Sequence, residues 1–572
     1  MKRIFSLNTR WISTKILSDR IGKERIIILK KFTEAAILCV LLFTMTGCVQ
    51  KESADEVVNQ KYQFNIENMD GTETVIHSWI DDEGKEHVFL PSYCDKEEVL
   101  LMNGFNELED VEFHESENVA ALFINTESQS MDAIHSDKEY REAAEAILFT
   151  ADGKIDYQTA ECSLKGRGNS TWDLFEKKPY QLKLEEKGNL LNMGEGKKWI
   201  LLANAFDETS LRNKFVYDLA RENDWCYAPE CEYVDLYLNG EYRGLYLLTE
   251  RVEFGEDRLN VEADEKYMCN IEYVERWDSL DNAFLTDSGR AVEIREPDEP
   301  TEQDYTRIQE LVNEMETMIL NPENGETLGE KIDIESWVYK YLLDEIMENG
   351  DADIASSYFY YADGKFYAGP LWDYDNTLGV STRNQNPYTF LARSGYKYKQ
   401  HGTPYYDSLY SQKEFYDKIA ELYCEEVLPA LEEEIQTGLF DKENEIKSAV
   451  HMNRIRWENA FKEQNSEIRN VTDICEYLEK RIEFLNSAWI EGEEYCTVQF
   501  EPYVIDMYAT EETYAGSYAV KKGERFCDLS VPKITEEDVI WVNCENGEVF
   551  DSEQIITEDI TLIPAREDDS QG

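Results

Sequence analysis

The hydrophobic period of this chain changes twice, and that change limits the folds open to it. Ahead of a linker marked by Pro297 and Pro300, apolar residues mostly alternate, as they do on strands. After it they recur every three to four residues, as on helices, and from about Glu494 they alternate again. Strands, then helices, then strands make an α+β chain. Its 572 residues are too many for one core and suit two or three domains.

Local signals place the elements. After a polar tether over residues 49–60, His77-Ser78-Trp79-Ile80 and His87-Val88-Phe89-Leu90 flank Asp81-Asp82-Glu83-Gly84, a predicted hairpin in a small β-rich leader. Cys162 to Asn169 reads as a strand entering a glycine turn. Pro179 to Leu184 and Trp199 to Ala203 read as strands, and Ser210 to Arg221 as a helix with Leu211, Phe215 and Leu219 on one face. Asn239-Gly240 between Val234–Leu238 and Gly244–Leu248 is a strong hairpin signal. Asp304 to Met318 is amphipathic, and Asp333 is placed to cap a helix from Ile334 to about Met347. A hairpin around Asp363-Gly364 then feeds directly into Trp372-Asp373-Tyr374-Asp375. Residues 410–490 read as helices rich in acidic positions, and the tail as a separate small β module. We expect one domain from about Leu164 to Gly379 at least, with the 372–375 turn as its working centre.

The formal net charge is -62, so a nucleic-acid binder, which must neutralise phosphates, is excluded. The ordinary meaning of such acidity is a solvated surface; divalent cations or a basic partner are the sharper ones. Apolar residues at 42% are enough for real cores and exclude global disorder. The N-terminus departs from the acidity. Lys2, Arg3, Arg10, Lys15, Arg20, Lys23, Arg25, Lys30 and Lys31 precede an apolar run from Ala35 to Met45, which ends in Thr46-Gly47-Cys48. That is an export signal with a cysteine where a bacterial lipobox has the residue that is lipidated, so Cys48 is the expected anchor. The run is too short for a comfortable transmembrane span; an uncleaved interfacial anchor is the alternative. The expected place is therefore outside the cell, on the outer face of the bacterial membrane. Ten cysteines lie beyond Cys48. No CxxC pair occurs and the histidines do not cluster near them, so no zinc site is visible. Disulfides are allowed in an exported chain, with Cys226 and Cys231 the nearest pair.

Asp373 and Asp375 sit two apart after a predicted strand, where both can share a cation; magnesium takes one or two carboxylates plus substrate phosphates. Asn349, Asp351 and Asp353 form a second cluster upstream. It is not a calcium loop, since Ile354 and Tyr360 stand where that motif needs Gly and Glu. The turn Lys165-Gly166-Arg167-Gly168-Asn169-Ser170 can offer backbone N–H groups to phosphate, although a plain glycine turn is the simpler reading. It lacks the spacing of a P-loop. Lys177 and Lys178 follow, and either can neutralise phosphate charge. Glycine turn, lysine, helix, hairpin, helix, Asp, hairpin, Asp is the order of parts in kinase-type phosphoryl transfer, without HRD, DFG or VAIK in standard form.

These residues resemble the CotH family, the spore coat protein H kinases. The likeness rests on Gly166-Arg167-Gly168-Asn169-Ser170-Thr171-Trp172, Lys177-Lys178-Pro179-Tyr180, Trp199 to Asn204 with Asp207, and Leu211-Arg212-Asn213. Leu238 to Tyr246 with Glu250, Asn349-Gly350-Asp351 and Trp372 to Gly379 complete it. The resemblance implies an atypical protein-kinase-like two-lobed domain with small β-rich flanking modules, using ATP and magnesium to phosphorylate protein hydroxyls on a cell- or spore-surface partner. It divides the chain into a lipoprotein signal peptide (1–48), a tether and β-rich leader (49–123), a CotH kinase-like domain (124–490) and a small C-terminal β module (491–572). By carry-over, Asp351 would accept the proton of the attacking hydroxyl. Asp373 or Asp375 would hold magnesium, with Asp375 favoured. Gly166, Arg167, Gly168 and Asn169, with Lys177 or Lys178, would meet the phosphates, Lys183 being the outsider. Glu250 would lie near the nucleotide. Asp207 and Arg212 would be an ordering ion pair or would serve the lysine. Ser356 stands where kinase-like sites usually carry a metal-binding Asn. A catalytically silent scaffold, or a nucleotidyl transferase on the same fold, are the alternatives.

Overall fold

Seven strands close into a barrel, and everything that positions the cleft described below is built on or against it. The computed structural model describes residues 61–321, 327–381, 384–394, 405–462, 468–500, 516–528 and 539–566. The chain divides into Met1–Asn59, which lies outside the described residues together with Cys48 and the export signal, and one unit, Gln60–Gly572. Around the barrel, strand Ala120–Thr126 neighbours Glu142–Phe149, then Ile155–Gly166, Tyr180–Asn189, Glu195–Leu202, Glu241–Glu250 and Cys231–Leu238. Every neighbouring pair is antiparallel except the one that closes it, Cys231–Leu238 with Ala120–Thr126. Period-two alternation fills the interior: Leu122, Ile124, Leu148, Leu182, Leu184, Trp199, Leu236 and Leu248 are buried there. The predicted hairpin forms, with φ of +51° at Asn239 and +81° at Gly240, the backbone that an Asn-Gly turn accepts at little cost.

The leader is β-rich as expected. Trp79–Ile80 pairs with Glu86–Leu90 across the Asp81–Gly84 turn, and Val111–Glu115 joins them in parallel. Phe64, Ile66, Val88 and Phe89 pack on the outer face of the barrel against Phe123, Phe149, Tyr237 and Tyr242. The sequence division at residue 123/124 falls inside the barrel strand Ala120–Thr126. The pattern up to Gln158 looked irregular because three barrel strands share that stretch with the leader.

Beyond the barrel, five strands form an open sheet in the order Ala283–Leu285, Ala291–Glu296, Lys266–Glu272, Ser357–Ala362, Lys365–Ala368. Helix Glu302–Leu320 starts at a capping box between Thr301 and Asp304, and Asp333 caps helix Ile334–Ile346 through the Ser336 N–H. These helices, with Arg212–Glu222, Lys413–Leu422 and Val471–Trp489, share one large core with the open sheet. The C-terminal module is a four-stranded sheet around Val498, Phe500, Tyr518 and Leu562. Helices and sheets thus make an α+β chain, with a closed barrel that the sequence reading did not foresee. Cys226 and Cys231 are free thiols, so the nearest cysteine pair is not bridged.

Candidate functional site

A cleft of about 480 Å³ opens where the barrel meets the open sheet. The barrel side contributes Lys138, Lys165, Arg167, Lys198 and Arg251, and the sheet side Arg276 and Arg295. Asp351, Asp373 and Asp375 face them, with Glu139, Glu272 and Glu293. Seven cations beside six carboxylates is a concentration of positive charge in a chain of net charge -62. A site of this kind can hold an anion and a cation side by side.

The glycine turn forms one wall. Gly166 ends strand Ile155–Gly166, and a Cβ there would lie 2.4 Å from the Trp172 ring, so only glycine fits. Gly168 has φ +84°, a left-handed backbone. The Arg167 N–H donates to the Pro179 carbonyl at 3.2 Å, and Lys138 Nζ donates to the Gly168 carbonyl at 2.7 Å. The Arg167 guanidinium lies 5.2 Å over the Trp372 ring and joins the glycine turn to the acidic turn.

The acidic turn is suspended from two helices. The Tyr374 N–H donates to Asn213 Oδ1 at 2.7 Å and the Asp373 N–H to the Tyr217 hydroxyl at 3.2 Å, both on helix Arg212–Glu222. The Tyr374 hydroxyl donates to Asp344 Oδ1 at 2.6 Å, and Asn349 Nδ2 donates to the same oxygen at 3.0 Å. Asp344 on helix Ile334–Ile346 therefore fixes the segment carrying Asp351 and the turn carrying Asp373 and Asp375 relative to each other. The Tyr273 hydroxyl donates to Asp351 Oδ1 at 2.5 Å. The Ser356 hydroxyl donates to Asp373 Oδ2 at 2.9 Å, which puts this serine at the acidic turn itself.

Burial raises the pKa of Asp373, and the charge of Asp351 adds to it while Ser356 and Arg167 oppose. Burial, then Asp373 and Asp207, hold Asp375 well above the usual carboxylate range. Asp375 is buried and Asp373 opens to solvent at the mouth of the cleft; the charge of Asp351 raises Asp373 and that of Asp373 raises Asp375, a chain of like charges that a cation would relieve. Their hard oxygens fit magnesium, which keeps water and substrate oxygens for its other positions.

Asp207 and Arg212 form a fully buried ion pair. Arg212 also donates to the carbonyls of Thr377 and Leu378, at 2.9 and 3.1 Å. The pair thus holds the end of the acidic turn, and the charge of Asp207 also acts on Lys177, so neither of the two roles left open for it is set aside.

Gly168, Asn169 and Arg167 line the cleft with Asp351, Asp373 and Asp375. Gly166, Lys177, Lys178 and Glu250 are not among the residues that line it. Lys177 is buried beneath the barrel wall, where Nζ donates to the Leu245 carbonyl at 2.6 Å and lies 4.7 Å over the Tyr246 ring. Burial pushes it down to about 7, against the charges of Asp235 and Asp207. Lys178 donates to the Trp172 carbonyl and lies over that ring at 5.4 Å, so it underpins the short helix Ser170–Leu174 behind the turn. Lys183 is exposed, pointing away from the interior that Leu182 and Leu184 fill. Glu250 is buried and accepts from Arg258 at 2.9 Å, the Tyr227 hydroxyl at 2.7 Å and the Glu230 N–H at 3.1 Å. The upstream acidic cluster also divides: Asp351 lines the cleft, whereas Asp353 is buried in an ion pair with Arg290 at 3.0 Å. Sequence reasoning missed Lys198, Arg251, Arg276 and Arg295, which come from four separate segments with no shared spacing.

Among the described residues no helix is long and apolar enough to cross a membrane. No curated protein matches the chain. A family model described as CotH kinase protein matches residues 164–485, which take in the glycine turn, Asp351 and the acidic turn. That stretch is more than half of the sequence, and the chain belongs to the CotH kinase protein family.

Proposed function

We propose that this chain is an ATP- and magnesium-dependent phosphotransferase that moves the γ-phosphoryl group onto hydroxyls of a protein partner. In this reading the barrel serves as one lobe of a kinase-like pair and the open sheet with its helices as the other. The observation that carries it is one cleft that holds a glycine turn, a cluster of Lys and Arg, and Asp351, Asp373 and Asp375 together. Phosphoryl transfer asks for little else than positioning and charge stabilisation.

Asp373 and Asp375 would hold magnesium, with Asp375 making the main contact. Magnesium, when bound, offsets the charge on phosphate oxygens. Arg167, Lys198 and Arg251 would pair with phosphate from the barrel side, and Gly168 and Asn169 would present backbone N–H groups. Asp351 would orient the attacking hydroxyl and take its proton, with the Tyr273 hydroxyl holding its Oδ1 in place. Lys177 and Lys178 keep the role that the family resemblance implies only if Lys177 leaves the Leu245 carbonyl. The Cys48 signal supports an exported enzyme, anchored by lipid to the outer face of the bacterial membrane and acting on a surface or spore-associated protein.

Transfer from labelled ATP, compared between wild type and Asp375→Ala, tests the reading. We expect magnesium-dependent labelling that the variant loses; equal background from both would sink it. The mass of the product distinguishes phosphate from AMP. A silent scaffold is the second reading, favoured by Ser356 at the acidic turn and by the burial of Lys177. A thermal shift on nucleotide that requires magnesium counts against it.

A further inference from the structure

We propose a second metal site, for a zinc-class transition ion, formed by His87, Glu112 and His114 in the leader. It lies outside the stretch that matches the family model and draws on histidines and a glutamate, not on the cysteines whose spacing showed no zinc site. His87 sits on strand Glu86–Leu90, and Glu112 and His114 on its parallel neighbour Val111–Glu115. Among the described residues, these three form the one group of His, Cys, Asp or Glu whose ligand atoms all lie within 4.8 Å of one another.

The geometry of the three side chains suits an ion. His87 Nδ1 and His114 Nε2 are 2.9 Å apart, and a Glu112 carboxylate oxygen is 3.7 Å from His87 Nδ1. Two lone pairs do not face each other at that distance; the nitrogens share a proton or a cation. The far side of His87 narrows the choice. Its Nε2 lies 3.1 Å from Asp81 Oδ2, and a carboxylate only accepts, so Nε2 carries hydrogen and Nδ1 is the nitrogen turned toward His114 as the ligand atom. Asp81 is itself fixed, accepting the Glu83 and Lys85 N–H groups at 3.0 and 2.8 Å on its other oxygen. A carboxylate behind an imidazole is the arrangement that orients histidine ligands. Trp79 and Phe89 pack against the rings, with centroids 5.6 Å from His87 and 5.2 Å from His114, and His87 is 4% exposed. The two rings are therefore held against aromatic neighbours, with Glu112 at the solvent edge.

Two imidazoles and one carboxylate suit zinc and its neighbours; magnesium and calcium prefer all-oxygen sets. Zinc–nitrogen bonds of about 2.0–2.1 Å in tetrahedral geometry put two nitrogens roughly 3.3 Å apart, so the rings need to open by only about 0.4 Å. Binding would displace the proton between the rings and release Glu112 from its ion pair with Lys85. Three protein ligands leave a fourth position for water or for His451, whose ring centroid is 6.3 Å from that of His114. The ion would clip two leader strands together.

The test uses the full chain, stripped with chelator and titrated with zinc chloride alone in a calorimeter, followed by metal content. We expect one zinc per chain. His114→Ala should weaken binding more than about tenfold, and so should Glu112→Gln, which alters an exposed side chain and leaves the fold intact. Cobalt bound to wild type should give the visible absorption of a low-coordinate site with nitrogen ligands, a readout that needs no variant. Asp375→Asn should bind zinc as wild type does. No uptake by wild type overturns the proposal. So does uptake that neither His114→Ala nor Glu112→Gln changes, or uptake lost in Asp375→Asn and kept in His114→Ala.

Discussion

Ser356 carries a hydroxyl at the acidic turn, and a hydroxyl is a weaker magnesium ligand than an amide oxygen. If the proposed site is right, Ser356→Asn should tighten the magnesium dependence of labelling several-fold and leave the ATP dependence nearly unchanged. A magnesium titration of the transfer assay checks it. A second residue-scale expectation concerns pH. Burial lifts Asp235, inside the barrel wall, to about 7, and the Tyr242 hydroxyl at 2.9 Å and the charge of Lys177 only partly oppose it. A carboxyl raised in the folded state adds stability that is complete below its ordinary range and is lost as pH rises through about 7. Glu250 and Glu272, raised to about 7 by burial, shift the same way. Lys177, lowered by burial, acts oppositely at higher pH. His114 and His135, lowered to about 4 by burial, act oppositely below pH 6.5, so the carboxyl contribution is read by difference: between about pH 5 and pH 7 the urea midpoint of wild type should fall relative to that of Asp235→Asn. A difference that stays constant over that range would show that Asp235 is charged in the fold.

At the scale of elements, the acidic turn depends on things that are not part of it. Removing Asp207 leaves Arg212 buried and unpaired behind Thr377 and Leu378, so Asp207→Ala should cost about 3–5 kcal/mol in urea unfolding. The glycine turn depends on the helix behind it: Gly166→Ala drives a methyl into the Trp172 ring, and overpacking of this kind costs about 1–3 kcal/mol. What was legible in the sequence follows the same division between local and distant causes. The Asn239-Gly240 hairpin, the Asp333 cap and the approach of the 357–368 hairpin to the acidic turn were readable, because neighbouring residues dictate each. The closure of the barrel was not, since it rests on a parallel pairing of Cys231–Leu238 with Ala120–Thr126 that no nearby residue signals. Lys177 illustrates the limit at the site. Its place beside a glycine turn suggested phosphate, but the hydrogen bond to Leu245 and the ring of Tyr246, far along the chain, decide where its ammonium goes. His87 and His114 are 27 residues apart, with no metal-ligand spacing to join them until parallel pairing does.

For the whole molecule, the matched stretch is not the folding unit. A fragment cut to residues 164–485 loses strands Ala120–Thr126 and Glu142–Phe149 and keeps only the last residues of Ile155–Gly166. Leu182, Leu184, Leu236 and Leu248 would then face a gap, and an open barrel would expose two strand edges. Restoring the barrel from residue 119 onward is still not enough by burial. Without the leader, Phe123, Phe149, Tyr237 and Tyr242 lose the cover of Phe64, Ile66, Val88 and Phe89. Exposing four such side chains costs about 1.5–3 kcal/mol each, a sum comparable with the roughly 5–15 kcal/mol that holds a domain folded. Three lengths therefore make one test, read by circular dichroism on heating. The chain from Gln60 should melt cooperatively. The chain from residue 119 should melt far lower or aggregate, and the 164–485 fragment should have no cooperative transition. A soluble, cooperatively melting chain from residue 119 would show that the leader is an appendage, and the cleft could then be studied without it.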